Sequence, residues 1–203
     1  MKSIIENSSS DNYHILVSTD IDDETMLKPF DYPNTTIISK TSKNKIDAIN
    51  RDLNEFTTIY DWDILVNMSD DMVFTKKGFD DVIRKAFDYE VNNTHTVGSL
   101  DRCLHFPDGN RNDLITMAIM GREYYNRFNY IYHPDYISLW CDNEMTDVAK
   151  QLGCYKYVNE HILEHKHPAY GKGAFDRQYV KTESYSVVDE VTYHKRKANN
   201  FDI

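Results

Sequence analysis

Two adjacent carboxylates, Asp70 and Asp71, follow a short apolar stretch in the segment Trp62–Phe74, which reads WDILVNMSDDMVF. A short apolar run between polar residues is typical of a strand buried on both faces of a parallel sheet. In open α/β sheets, ligands bind outside the carboxyl ends of the strands. Two acids at that edge favour a hard divalent cation, which takes oxygen ligands and binds substrate phosphates. The alternative is a surface turn in which an aspartate caps the next element.

Length and composition are those of a globular domain rather than a disordered chain. The 203 residues are 40% hydrophobic and 28% charged, and the formal net charge of −10 disfavours a broad basic face for nucleic acid. Three cysteines without a C-x-x-C pair indicate neither a disulfide framework nor a zinc site. No apolar run approaches the roughly 20 residues that span a bilayer, and the N-terminus lacks the apolar stretch of a secretory signal. We therefore expect a cytoplasmic protein.

The elements predicted for the first half indicate the α/β class with a largely parallel sheet. Residues 1–12 are predicted to end a helix and enter a loop. The predicted strands are Tyr13–Ser18, Thr35–Ser39, the apolar part of the Trp62 segment, and His95–Leu100. Two helices with apolar residues at helical spacing lie between them, one containing Ile46–Phe56 after an N-cap at Thr41 or Ser42, the other containing Phe79–Phe87.

The second half is predicted to be richer in short elements. A strand is expected at Leu114–Met120 and a tyrosine-rich helix from Gly121 to about Phe128. A further helix, Asp142–Leu152, is ended by Gly153. Short strands are then expected in residues 154–158 and 161–165, followed by a Gly/Pro loop, a C-terminal helix and a basic cluster, Lys195-Arg196-Lys197, which we interpret as a solvated tail.

Five segments, taken in order, resemble motifs of the A-type (GT-A fold) nucleotide-diphospho-sugar glycosyltransferases, and within them the large inverting family 2. They are STDIDDET, SKNKIDAIN, NMSDDM, SLWCDNEMTDVAKQLG and HKHPAYGKGAFD, and they extend over roughly Tyr13–Asp176. The resemblance implies a single Rossmann-like domain over residues 1–203, with a mostly parallel central sheet and helices on both faces. Residues 1–101 would form the donor- and metal-binding half, 102–180 the acceptor-binding half and 181–203 a C-terminal tail.

The resemblance implies a donor site for a nucleotide-diphosphate sugar, with a UDP-sugar favoured. Asp20 and Asp22 lie in the acidic loop that would contact the base, and Lys45 lies on the helix beside the donor. Asp70 would face the donor ribose or a metal-bound water. Lys45 and Lys172 are candidates for phosphate contacts, because cations stabilise a departing diphosphate. The alternative for both lysines is a solvated surface charge.

The resemblance also implies a site for Mn²⁺ or Mg²⁺. The usual D-x-D motif here has Ser69 in place of its first carboxylate, so Asp71 would be the direct ligand. The late histidine-bearing loop supplies His167 as the second ligand, with His165 as the alternative. An imidazole together with a carboxylate suits manganese as well as magnesium. The alternative is that these histidines and His161 are solvated loop residues.

The implied reaction is sugar transfer to an acceptor hydroxyl, with inversion and with a carboxylate as general base. Asp142, at the predicted start of its helix, is assigned as that base and Glu144 is the rival. The alternative for Asp142 is a helix N-cap, a position that aspartate favours. The acceptor is left open.

Two other functions compete with this one. The chain begins where the family's first strand and its helix would be ending, which favours a degenerate binding or scaffold module. A sugar nucleotidylyltransferase would need a Gly-rich loop near the N-terminus to cradle phosphates, and no glycine precedes Gly78. We therefore place the nucleotidylyltransferase last.

Overall fold

The computed structural model describes residues 1–22, 32–87, 100–172 and 177–203, which form a mixed α/β arrangement. The strands are β1 Ile15–Thr19, β2 Thr35–Ser39, β3 Ile64–Val66, β4 Met72–Phe74, β5 Cys103–His105, β6 Ile119–Gly121, β7 Tyr155–Tyr157 and β8 Leu163–His165. The helices are α1 Lys2–Asn7, α2 Lys45–Thr57, α3 Phe79–Phe87, α4 Arg122–Asn126, α5 Cys141–Gln151, α6 Arg177–Glu183 and α7 Ser186–Ala198. The predicted α/β class is confirmed.

The strands pair in three small sheets. β1 pairs with β2, the order β3-β6-β5-β7 forms a four-stranded sheet, and β4 pairs with β8. The β1–β2 and β5–β7 pairs are parallel, whereas β3–β6, β5–β6 and β4–β8 are antiparallel. Within the described residues the predicted mostly parallel sheet is therefore wrong. Residues 106–118 contain no helix to carry a parallel crossover, so β6 returns antiparallel to β5.

Several predicted boundaries also change. The Trp62 segment contains two strands, because the chain leaves the four-stranded sheet after β3 and enters the β4–β8 pair. The N-cap of α2 is Asn44, whose side chain accepts a hydrogen bond from the Asp47 amide at 2.8 Å, rather than Thr41 or Ser42. The strand expected at Leu114–Met120 forms only from Ile119, and β5 was missed. The strand expected at His95–Leu100 lies almost entirely outside the described residues.

Two clusters of buried side chains form the core. One joins α2, α5 and α7 to the four-stranded sheet and includes Tyr124, Tyr125, Tyr132 and Tyr136. The other packs α3 against β4 and β8, where the Phe74 and Phe79 rings stack. The second cluster therefore supports the strand pair that carries the first candidate site residues.

The C-terminal basic cluster was predicted to be a solvated tail, and this is wrong for Arg196 alone, since Lys195 and Lys197 are exposed. Arg196 is 6% exposed and its guanidinium bonds to Glu144 on α5. A buried arginine is tolerated when a carboxylate pairs with it, and this partner lies 52 residues away in the chain.

None of the helices in the described residues combines the length and apolarity that a membrane crossing requires.

Candidate metal and acid site

Asp71 and His165 meet because β4 and β8 pair antiparallel. Met72 lies opposite His165 in the register, which places the preceding Asp71 beside the end of β8. The Nε2 atom of His165 is 3.1 Å from Oδ2 of Asp71, and the Ser69 hydroxyl donates to Oδ1 of the same carboxylate. Strand pairing thus brings together a carboxylate and an imidazole that are distant in sequence.

Asp108 is a site residue that the sequence analysis missed. It is 1% exposed, and its Oδ2 lies 3.4 Å from Nδ1 of His165. Its Oδ1 accepts from the amides of Asn110 at 2.8 Å and Arg111 at 2.7 Å. Gly109, between Asp108 and Asn110, adopts φ +84°. An aspartate that bonds to amides two and three residues later is typical of an Asx turn. The letters PDGN were the available signal, although they do not reveal the histidine partner.

Electrostatics couple these three residues strongly. Burial alone would raise the pKa of Asp71, but hydrogen bonds from His165 and Ser69 outweigh it and lower that pKa to about 2. Burial likewise opposes ionisation of Asp108, yet His165 and two backbone amides hold its pKa well below the usual range. Burial would lower the pKa of His165, but Asp108 and Asp71 raise it to about 9. At neutral pH His165 is therefore an imidazolium between two carboxylates.

His167, the predicted partner of Asp71, occupies a different position. Its Nδ1 accepts from the Ala169 amide at 3.2 Å, so the side chain caps the short 3₁₀ turn Pro168–Tyr170. Its ring centroid lies 5.1 Å from that of His165. Burial lowers the pKa of His167, and the charge on His165 adds to this. The structure thus pairs Asp71 with His165, the alternative that the sequence left open.

Asp71 and His165 are the residues that could ligate a divalent cation. Across the described ranges, no group of three or more His, Cys, Asp or Glu side chains converges as a metal site. Asp71 and His165 nevertheless offer one oxygen and one nitrogen donor, and Asp108 supports the far nitrogen of the ring, as carboxylates do behind metal-bound histidines. This set fits Mn²⁺ or Mg²⁺ that takes its remaining ligands from substrate phosphates and water. His165 would have to release its proton to bind.

Asp142 lies in the first turn of α5, but it is not the N-cap. The helix begins one residue earlier than predicted, after Trp140, and Oδ1 of Asp142 accepts from the Asn143 amide at 3.0 Å. Burial raises the pKa of Asp142, and the charges of Lys45 and Arg111 partly oppose this. A partly buried carboxyl with a raised pKa is a better proton acceptor than a solvated one.

Glu144, the rival base, is engaged in structural contacts. It is 4% exposed, and both of its carboxylate oxygens are bonded. Oε2 accepts from the Tyr136 hydroxyl at 2.7 Å and from Nε of Arg196 at 2.7 Å, while Oε1 accepts from Nη2 of Arg196 at 3.0 Å. These bonds leave Glu144 poorly placed to receive a proton from a substrate.

The predicted donor residues differ in their relation to the Asp71–His165 pair and to Asp142. Asp20 and Asp22 are exposed beyond the end of β1, and the acidic loop from residue 23 lies outside the described residues. Asp70 is exposed beside Asp71, and Lys45 is exposed at the first position of α2. The structure brings Lys45 close enough to Asp142 for its charge to lower the carboxyl pKa, but shows no direct contact of Asp20 or Asp22 with the Asp71–His165 pair.

Lys172 and Arg111 are two cationic residues that lie beside Asp108 and the strand of His165. Nζ of Lys172 lies 3.3 Å from the carboxylate of Glu164, the residue that precedes His165 in β8. The same Nζ also lies close to Gly109, 3.7 Å from the position that a Cβ would occupy there. Arg111, which the sequence analysis did not consider, donates its amide to Asp108 and pairs its guanidinium with Asp113 at 2.7 Å. The charge of Arg111 also lowers the pKa of Asp142, so Arg111 acts on both Asp108 and the candidate base.

Comparison with family models, curated proteins and solved structures found no match. Function must therefore be inferred from the site. The described residues supply a carboxylate–imidazole pair, a carboxyl of raised pKa and nearby cations. Such a set can hold a cation–phosphate complex and accept a proton.

Proposed function

We propose that this protein is a metal-dependent glycosyltransferase that moves a sugar from a nucleotide-diphosphate donor, a UDP-sugar in the first instance, to an acceptor hydroxyl. The observation that carries the proposal is the contact between Asp71 and His165, which unites the acidic motif with the late histidine loop. Asp108 supports this contact, and through Arg111 it is linked to the surroundings of Asp142. The resemblance of five ordered motifs to the GT-A family supports the same function.

The donor half of the proposal assigns roles to residues that face the diphosphate. Asp71 and His165 would hold Mn²⁺ or Mg²⁺, which when bound acts as a Lewis acid and neutralises the leaving phosphates. Asp108 keeps the His165 ring oriented so that Nε2 faces Asp71. Lys45 and Lys172 supply further positive charge for the departing diphosphate.

The acceptor half of the proposal rests on Asp142. Its carboxylate would take the proton from the acceptor hydroxyl as that oxygen attacks the sugar. A positioned base of this kind contributes roughly 10²–10⁴-fold to a rate. Partial burial, which raises the pKa of Asp142, increases its affinity for the proton. Inversion at the sugar carbon follows from the family resemblance.

We propose also that the described elements belong to one GT-A-type domain. The parallel β1–β2 pair with α2 packed against β1 suits the nucleotide-binding half of such a fold. In this assignment the β4–β8 pair carries the proposed metal residues, and α5, which contacts β7 of the four-stranded sheet, carries the proposed base Asp142. This finer assignment goes beyond the mixed α/β class.

Calorimetric titration with UDP and GDP, with and without Mn²⁺, tests the proposal. The variants are Asp71→Asn and a matched control, Asp63→Asn, which changes an exposed carboxylate at the start of the same segment. We expect manganese-dependent nucleotide binding in the wild type and the control, and at least tenfold weaker binding in Asp71→Asn, since a metal ligand is lost. Equal binding with and without manganese, or in Asp71→Asn and wild type, would overturn the metal-dependent donor site.

A nucleotide-binding module without transfer is the second candidate. The observation that favours it is the ion cluster itself, in which the His165 imidazolium already pairs with both Asp71 and Asp108. This candidate predicts nucleotide binding that does not respond to manganese, together with no release of UDP from UDP-sugars in the presence of acceptors. The same titration, followed by a UDP-release assay, separates the two functions.

A further inference from the structure

The carboxylate of Asp189 on α7 binds three consecutive backbone amides of another segment. Asp189 is fully buried, and it accepts from Ile137 at 2.9 Å, from Ser138 at 2.9 Å and from Leu139 at 2.8 Å. Hydrogen bonds to an ionised carboxylate are stronger than those between neutral groups. Residues 137–139 are thereby tied to α7, although about 50 residues separate them from it in sequence.

The tied segment leads directly into the helix that carries Asp142. Between them, Trp140 adopts the left-handed conformation with φ 61°, which a non-glycine residue keeps only when its surroundings hold it. Its ring lies 5.3 Å from the Tyr193 ring and 6.0 Å from the His194 ring, both on α7. The sharp turn that sets the start of α5 is therefore supported by α7 through backbone and side chain.

A second contact from α7 lies on the other side of Asp142. Arg196 donates to both carboxylate oxygens of Glu144, two residues after Asp142, at 2.7 and 3.0 Å. The paired fork geometry of arginine and carboxylate restricts orientation as well as distance. The two contacts, Asp189 before Asp142 and Arg196 after it, hold the first turn of α5 from both ends.

We propose that α7 is a positioning helix, in which Asp189 and Arg196 fix the direction of the Asp142 carboxyl toward the acceptor. The consequence for catalysis rests on the proposed transferase function, whereas the positioning of Asp142 does not. Neither α7 residue touches the substrate in this scheme. They act on the reaction only through the backbone that carries Asp142.

The environment of Asp142 provides a direct readout of its position. The charged and titratable groups that act on it are Lys45 from α2, Arg111 from the loop after β5, Cys141 from α5 itself and Tyr132 from the preceding loop. Movement of the first turn of α5 changes the burial of Asp142 and its distance from these groups. The pKa of Asp142 therefore reports its position, whereas global stability does not.

The test compares Asp189→Asn with Lys197→Gln. The first keeps the shape of the side chain but replaces one acceptor oxygen by a donor that opposes the backbone amides. The second is a matched control on the same helix, because Lys197 joins α5 through an ion pair with Asp147 at 2.8 Å and its side chain is 52% exposed. The Asp142 carboxyl is titrated by ¹³C NMR, and transfer is followed as kcat and KM for the donor.

In Asp189→Asn we expect the pKa of Asp142 to fall, because the carboxyl becomes more solvated. We expect kcat to fall roughly 10–100-fold with little change in the donor KM, since a small displacement of a catalytic group is costly. The control should leave the pKa, kcat and KM unchanged. A folded Asp189→Asn with an unchanged Asp142 pKa would overturn the positioning role.

A second variant covers the case in which Asp189→Asn fails to fold. Arg196→Lys keeps the charge opposite Glu144 but loses the paired guanidinium–carboxylate contact. The pKa of Asp142 is therefore expected to change in the same direction as in Asp189→Asn, but by a smaller amount. An unchanged Asp142 pKa in this variant would also count against the proposal. If the wild type itself transfers no sugar, the transferase function fails, and the NMR titration still decides whether α7 positions Asp142.

Discussion

Nε2 of His165 lies 3.1 Å from Oδ2 of Asp71, although 94 residues separate them in sequence. The antiparallel register of β4 and β8 creates this contact, and Asp108 completes it from the other side of the ring. The proton on Nε2 of His165 faces Asp71, at the position where a divalent cation held by both residues would bind. Proton and metal are therefore expected to compete for the same nitrogen.

The pKa of His165 is the first measurable consequence. In the metal-free protein we expect His165 to titrate near pH 9, because Asp108 and Asp71 stabilise its charged form. Asp108→Asn should lower this pKa, since one of the two carboxylates is lost. NMR titration of the imidazole resonances measures both values. A wild-type His165 that titrates like a solvated histidine would contradict the cluster.

Stability should depend on pH through the same cluster. The folded pKa of His165 is raised from 6.5 to about 9, so its stabilisation is complete below pH 6.5 and is lost as the pH rises through 9. The folded pKa of Asp71 is lowered from 3.8 to about 2, so its stabilisation is complete above pH 3.8 and is lost as the pH falls through 2. Urea unfolding should give a higher free energy of unfolding near pH 6 than near pH 9.5, and His165→Gln should reduce that difference.

Manganese affinity should rise with pH. Because His165 must release one proton to bind, the dissociation constant is expected to fall about tenfold per pH unit below the His165 pKa. Calorimetry with Mn²⁺ and UDP across this range measures the slope. The slope should disappear in His165→Gln and persist in His167→Gln, which changes the neighbouring histidine. Loss of the slope in His167→Gln alone would instead assign the ligand role to His167.

Removal of the candidate base should separate catalysis from binding. Asp142→Asn is expected to lower kcat by roughly 10²–10⁴-fold, because no group then accepts the acceptor proton. UDP affinity should change by no more than about twofold, since Asp142 acts only on the acceptor. The control Asp147→Asn alters a carboxylate one turn further along α5. A Glu144→Gln variant that lost transfer while Asp142→Asn kept it would reverse the assignment.

The buried pair between Glu144 and Arg196 should matter for folding. Glu144→Gln or Arg196→Met is expected to lower the free energy of unfolding by about 3–5 kcal/mol, because each breaks a buried charge pair from one side. Arg196→Met leaves the Glu144 carboxylate without its cation, and Glu144→Gln leaves Arg196 with only the exposed Asp202 as an ionic partner. Lys197→Gln, which breaks an exposed ion pair between the same two helices, should cost at most about 1 kcal/mol. Urea denaturation measures all three. Equal losses in Lys197→Gln and Arg196→Met would show that burial of the pair is unimportant.

Local elements could be predicted from the sequence where a short apolar run or a helical spacing of apolar residues marks them. β2 has the predicted bounds, and α3 contains the predicted apolar positions. Helical spacing in α2 also survived, although its cap moved to Asn44. The three-residue strand β5 was missed, because so short a segment carries no periodicity. The equally short β3, β7 and β8 lie within predicted strands. The direction of the strands was also mispredicted, because an apolar run shows neither which strand it pairs with nor whether that pairing is parallel or antiparallel.

The sequence by itself determined the residue types available for chemistry: the Asp70–Asp71 motif, the late histidines and the acid at the start of α5. Only the tertiary structure decided that Asp71 meets His165, that Asp108 supports the ring and that Glu144 is paired with Arg196. These pairings join residues 50 or more positions apart. Their charges and pKa values depend on distances and burial created by strand register and helix packing, which no local pattern contains.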